Sequence, residues 1–220
     1  MGQPMLPLIV EAEELDPQLG RDGLLVVDLS DDADHWAHHV AGAVHLDYAR
    51  IVHPLPPAMG MMPPDDELGE VLGSVGIAPE THVVAYAVPG HTEAEADKAY
   101  IFAHLGDPDV VLLDVRSPAE FAGADLRAAR GGHIPGAANL DWACTTDPGR
   151  ELRFKPDAAL RAMLEPLGVT PEKEIITYCQ THHRSAHTYT MLKALGYARI
   201  RGYAGSWSEW GNDPDVPIET

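Results

Sequence analysis

A single heptapeptide, Cys179-Gln180-Thr181-His182-His183-Arg184-Ser185, concentrates a thiol, two imidazoles, a guanidinium and two hydroxyls. It follows a β-branched run, Ile175-Ile176-Thr177-Tyr178, and precedes a helical pattern from Ala186 to Leu195, so it reads as a strand-to-helix turn. Ser185 is placed to cap that helix. Such a turn aims successive backbone N–H groups inward and adds the positive end of the helix dipole, which together hold an anion or stabilise a thiolate. Cys179 is therefore the candidate catalytic nucleophile. Arg184, at the far rim, offers a planar donor pair for an oxyanion such as a sulfonate; His182 and His183 add polar or, at lower pH, cationic character.

Blander readings compete. A free cysteine at a strand end is often a buried structural residue. Cys179, His182, His183 and His187 superficially offer zinc-type ligands, but a cradle-shaped loop sends its side chains in divergent directions whereas tetrahedral ligation needs convergence. Neither metal nor cofactor is expected. Cys144, two residues past Trp142, reads as a semi-buried unreactive thiol, with a resolving thiol for Cys179 as the alternative. The two cysteines are too few for a secreted disulfide framework or a four-thiolate zinc site.

The elements that must position the loop occur twice. His39-Val40-Ala41-Gly42-Ala43-Val44-His45-Leu46-Asp47-Tyr48-Ala49 matches His133-Ile134-Pro135-Gly136-Ala137-Ala138-Asn139-Leu140-Asp141-Trp142-Ala143 at six of eleven positions. Upstream of each copy lies a buried-strand pattern ending in Asp, Leu24 to Asp28 and Val110 to Asp114. Downstream, Gly76 to Glu80 followed by His82 to Tyr86 mirrors Gly168 to Glu172 followed by Glu174 to Tyr178, and Ala87 stands where Cys179 stands. Helical patterns run from Asp65 to Val75, from Asp157 to Leu167 and from Glu93 to His104, so strands and helices alternate. This predicts an α/β fold of two units, each a parallel sheet flanked by helices on both faces. The repeat is incomplete: the second half continues through the helix from Ala186, a strand from Ala198 to Tyr203 and the turn Ala204-Gly205-Ser206-Trp207, which the first half lacks. The boundary is placed near residue 90.

Length and composition agree. The 220 residues suit two small cores, and no apolar run approaches the ~18 residues of a membrane helix. The amino terminus has neither a basic leader nor a cleavage-site pattern, which makes the cytoplasm the expected location and the membrane an unexpected partner. Thirty-four acidic against 15 basic side chains give a formal charge of −19, which repels nucleic acid and requires a locally positive pocket for any anionic substrate.

The chain resembles the tandem-domain rhodanese family, which includes thiosulfate and mercaptopyruvate sulfurtransferases. The likeness is carried by Val111 to Phe121, by Gly132-His133-Ile134-Pro135-Gly136-Ala137, by the cysteine loop, whose Gln-Thr-His-His looks closest to a bacterial subgroup, and by Gly202 to Trp207. The resemblance implies that Cys179 takes the outer sulfur of a donor as a persulfide and passes it to a thiophilic acceptor, cyanide or a thiol. A thiol protein is an allowed acceptor. The backbone amides of residues 180 to 184, and with them Gln180, Thr181, His182, His183, Arg184 and Ser185, would bind the substrate sulfur. Four residues separate Cys179 from Arg184, as in rhodaneses, whereas related phosphatases and arsenate reductases hold five in a wider cradle. Asp114 is expected either to contact the loop or Arg116, or to serve as a structural acceptor; Trp142 and Trp207 are expected either to wall the site or to be core aromatics.

The same resemblance implies residues 1–90 as an abbreviated, inactive rhodanese-like domain and 91–220 as the catalytic one. The first domain lacks roughly 50 residues by comparison with the family, which should leave unpaired strand edges and allows an oligomer in which another chain completes it. Glu120 stands where many eukaryotic members carry a substrate-contacting arginine, and an acid there should weaken anion binding. A binding or sulfur-relay module without its own donor specificity is the alternative function, with a small-oxyanion phosphatase or arsenate reductase behind it.

Overall fold

The computed structural model describes residues 5–86, 95–150 and 152–220. The chain opens with a short helix α1 (Ala12–Leu15), then β1 (Leu24–Asp28), α2 (Asp32–Ala37) and β2 (Val44–His45). A hairpin of β3 (His53–Leu55) and β4 (Ala58–Met61) leads to α3 (Asp65–Ser74) and β5 (His82–Tyr86). After it come α4 (Lys98–Ala103), β6 (Val110–Asp114), α5 (Pro118–Phe121), β7 (Ala138–Asn139) and the small antiparallel pair β8 (Thr146–Asp147) and β9 (Arg153–Phe154). Then follow α6 (Asp157–Leu164), β10 (Glu174–Tyr178), α7 (His183–Ala194), β11 (Ile200–Gly202) and α8 (Ser206–Trp210).

These elements form two units, Met1–His53 with Met62–Val88, and Pro54–Met61 with Pro89–Thr220. In the second, a four-stranded parallel sheet runs in the order β11-β10-β6-β7. Its central strands are apolar without alternation because both faces are covered. On one face Leu113 and Ile175 pack with Leu160 and Leu164 of α6 and Leu192 of α7; on the other Leu112 and Ile176 pack with Ile101 of α4 and Trp207 and Trp210 of α8. The first unit holds a three-stranded parallel sheet, β2-β1-β5, whose core of Val27, Leu29 and Leu46 is covered by Val71 and Leu72 of α3.

At several positions paired in the sequence repeat the local geometry is the same. Asp47 and Asp141 each accept the N–H two residues on, from Ala49 at 2.8 Å and Ala143 at 3.1 Å, and each starts a 3-10 turn. Tyr86 and Tyr178 sit in register with Asp28 and Asp114, and their hydroxyls accept from Val40 N and Ile134 N, both at 3.1 Å. The shortfall is also geometric. β10 has β11 on its outer side, with Ile175 fully buried, whereas no further strand flanks β5 among the described residues and Val83, at the matching position, is 37% exposed. Ala87 and the boundary near residue 90 lie outside the described residues, as do Glu93 and Ala94 of the expected helix, which is seen as α4 with Asp97 as its cap.

Other bounds shift for local reasons. The pattern from Asp157 to Leu167 is α6 followed by a 3-10 turn that Pro166 imposes and Gly168, at φ 73°, ends. The expected strand from Ala198 to Tyr203 shortens to three residues. Leu192 is fully buried between α7 and the sheet, so Leu192→Ala is expected to lower unfolding free energy by about 2–5 kcal/mol in urea titration; a loss below roughly 1 kcal/mol would contradict this packing.

Candidate active site

β10 ends at Tyr178 and delivers Cys179, fully buried, into the turn before α7. α8 anchors the turn from behind: Trp207 N–H donates to the Cys179 carbonyl and Ser208 N–H to the Gln180 carbonyl, both at 2.9 Å. Cys179 N–H donates to Ser206 Oγ at 3.3 Å. With these carbonyls held by α8, the N–H groups of Gln180, Thr181 and Arg184 meet no acceptor among the described residues. His182 makes the turn in the left-handed region, φ 73°, which a β-carbon disfavours and which places local strain in the loop.

The helix begins at His183, earlier than the expected Ala186, so Ser185 is not its cap. Ser185 lies inside the first turn, fully buried, with its hydroxyl 3.6 Å from Cys179 Sγ and 2.9 Å from both His182 Nδ1 and the His182 carbonyl. It ties Cys179 to the turn, a role that its capping propensity does not reveal.

Beneath the loop, Asp114 accepts from Arg116 Nε at 3.0 Å to both oxygens and from Nη2 at 2.6 Å, and the same Nη2 donates to the Gly132 carbonyl at 2.8 Å. Burial disfavours the Arg116 charge, but the Asp114 hydrogen bonds outweigh it and raise its pKa. Its guanidinium lies 4.5 Å from the Trp207 ring. Trp207 is thus buried at 1% exposure, as in the core-aromatic reading, and its backbone N–H is bonded to the cysteine loop. Trp142 is half-buried and meets the His187 ring edge-on at 5.3 Å.

Arg184 points its two terminal nitrogens at Glu120, Nη1 at 2.8 Å from Oε2 and Nη2 at 2.9 Å from Oε1. Burial would raise the Glu120 carboxyl, but Arg184 and Ser117 outweigh it and hold it at about 2, while Glu120 pushes the Arg184 guanidinium upward. The donor pair assigned to an incoming oxyanion is therefore occupied by a carboxylate of the protein. Ser117 and Glu120 form a capping box on α5, a pattern legible as Ser-x-x-Glu, although its reach to Arg184 is not. Gln180 Nε2 donates to the Arg127 carbonyl at 3.0 Å, Thr181 is half-buried, and burial lowers the pKa of His183. Cys144 is exposed.

One contributor escapes sequence reasoning. Gly60 of β4 lies against the loop so closely that a Cβ there would collide with the Thr181 carbonyl oxygen and sit 3.1 Å from His182 Cβ. The hairpin segment Pro54–Met61 thereby supports the strained turn from a position far earlier in the chain. Among the described residues no group of three or more His, Cys, Asp or Glu is arranged to hold a metal ion, and no helix is long and apolar enough to cross a membrane.

A parallel strand that ends in a buried cysteine, a turn with N–H groups left without an acceptor among the described residues and an arginine on the following helix are the features a thiol-based group-transfer site needs. The rhodanese-like domain model matches residues 97–213. The thiosulfate sulfurtransferase of Pseudomonas aeruginosa is 38% identical over 266 positions that cover 97% of this chain and 97% of that one. Those 266 positions exceed the 220 residues here by 46, so at least that many in the relative have no counterpart. The sulfur carrier protein TtuD of Thermus thermophilus is 46% identical over 116 residues, 49% of this chain and 40% of that one. The crystal structure of YnjE is similar in fold, with a TM-score of 0.78 at 19% identity, and covers 90% of this chain and 62% of its own. The chain belongs to the rhodanese family and is a sulfurtransferase.

The variant Gly60→Ala is expected to reduce kcat/KM for sulfur transfer at least about tenfold by displacing the Thr181 peptide, while Met59→Ala, on the exposed side of β4, leaves it unchanged; equal rates for both would contradict the support role. Burial holds the His187 imidazole at about 4, below its ordinary 6.5. The unfolded chain then binds a proton that the folded one refuses, so stability falls as pH is lowered from about 6.5 to about 4. His187→Phe is expected to flatten the melting temperature across that window, and an unchanged slope would rule this out.

Proposed function

We propose that the chain moves sulfane sulfur from thiosulfate or mercaptopyruvate to a thiophilic acceptor, cyanide or a thiol, through a persulfide on Cys179. The supporting observation is the cysteine loop itself, where a buried thiol is followed by N–H groups of Gln180, Thr181 and Arg184 that meet no acceptor among the described residues. The family supplies the chemistry, and thiosulfate is the donor named for the full-length relative. In this reading the Cys179 thiolate attacks the outer sulfur of thiosulfate, the S–S bond breaks, and sulfite leaves with its electron pair. The loop N–H groups hold the new persulfide anion. The acceptor then attacks the terminal sulfur and returns the thiolate. Gln180, Thr181, His182, His183, Arg184 and Ser185 build the cradle, Asp114 fixes it through Arg116, Trp142 borders it, and Trp207 supports it through its backbone.

The tandem reading belongs to the same proposal: residues 91–220 carry the transfer and residues 1–90 form an abbreviated rhodanese-like domain without a nucleophile. A thiol protein is an acceptor of particular interest, because one relative that matches 49% of this chain bears the name of a sulfur carrier.

Incubation with thiosulfate is expected to add one sulfur atom to the Cys179 peptide by mass spectrometry, and cyanide to remove it. Cys179→Ala should lose transfer, whereas Cys144→Ser should keep it within about twofold. Full activity in Cys179→Ala would refute the mechanism.

A further inference from the structure

A dianionic donor meets a protein with a formal charge of −19, whose field repels it. Arg184 relieves this little, since both terminal nitrogens bind Glu120 and the pair carries almost no net charge. Three other cations of this unit are committed elsewhere. Arg116 is buried on Asp114, Arg130 donates to the carbonyls of Val216 and Trp210, and Lys98 is held by Asp213 and Glu209.

Arg127 differs. Its carbonyl accepts from Gln180 Nε2 at 3.0 Å, which ties its segment to the residue after the nucleophile. Its side chain is 58% exposed and, among the described residues, pairs only with Asp125, two residues earlier, through Nε at 3.0 Å and Nη2 at 2.8 Å. Such an exposed pair is screened by water, so an anion can displace Asp125 from it readily. Nη1 takes no part in it.

We infer that Arg127 is the docking cation for the anionic end of the sulfur donor: it receives the sulfonate of thiosulfate while the outer sulfur meets Cys179. The inference rests on the Cys179 reading above. It makes Arg127 a determinant of donor binding, with Asp125 holding its fork in place when no donor is bound, and it assigns it no part in discharge to the acceptor.

The two half-reactions separate these roles. Loading is followed as sulfite release on mixing with thiosulfate, and discharge as loss of a pre-formed persulfide to cyanide near neutral pH, where cyanide is mostly protonated and uncharged. Arg127→Ala is expected to raise the thiosulfate concentration for half-maximal loading about tenfold, with the maximal rate within about twofold. Arg127→Glu should raise it further, and Arg127→Lys should recover part of the loss, because a point charge lacks the planar fork. Asp125→Asn should not raise it. Added salt should narrow the gap in half-saturation between the native protein and Arg127→Ala, because it screens the attraction of Arg127 in the one and only the repulsion of the acidic surface in the other. Discharge should be the same throughout. Equal half-saturation in the native protein and Arg127→Ala overturns the inference, as does a loss of discharge equal to the loss of loading, which would mark Arg127 as merely structural. Failure of the native protein to form any persulfide would instead refute the Cys179 reading.

Discussion

The buried ion pair of Asp114 and Arg116 is the constraint on which the rest of the catalytic unit hangs. Removing two charges from water is costly, and the cost is met only if every polar atom is satisfied. Here Asp114 takes Arg116 Nε and Nη2, Nη2 also takes the Gly132 carbonyl, and the guanidinium faces the Trp207 ring. One side chain therefore connects the end of β6, the segment leading to Ile134, and α8, whose backbone holds the Cys179 and Gln180 carbonyls. The catalytic turn is positioned by a structure that touches none of the reacting atoms. In the first unit Asp28 occupies the matching place but binds Ser30 and His35 instead, at 2.7 and 2.8 Å, so the strand-end carboxylate persists with different partners.

Charge governs the rim of the site. In the proposed function a strongly acidic protein takes an anionic donor and needs positive potential locally, which the backbone N–H groups of the cysteine loop would supply before any side chain. Arg184 is bound to Glu120, so it shapes the loop more than it attracts ligand. This makes Glu120 a clamp on Arg184 rather than a free acid at the rim.

Strand positions, the duplicated His-x-x-Gly-Ala segment and the strand-to-helix turn that carries Cys179 were legible because each is a local pattern. β1, β5, β6 and β10 fall where unbroken β-branched and apolar runs put them. Ser185 misled because its capping propensity is local while its actual task, meeting Cys179 Sγ and His182 inside the turn, is tertiary. Glu120 was readable as half of a capping box but not as the partner of an arginine 64 residues away. Trp207 and Gly60 illustrate the same limit: one aromatic is buried against a cation that sequence cannot place beside it, and one glycine is required by a backbone approach from a distant hairpin.

The central claim is that sulfur rests on Cys179 between donor and acceptor. Rapid mixing with thiosulfate in the absence of any acceptor tests it most directly. The account predicts a burst of about one sulfite per chain, abolished in Cys179→Ser. Sulfite release that requires the acceptor to be present would contradict it, since transfer would then proceed directly between the two substrates.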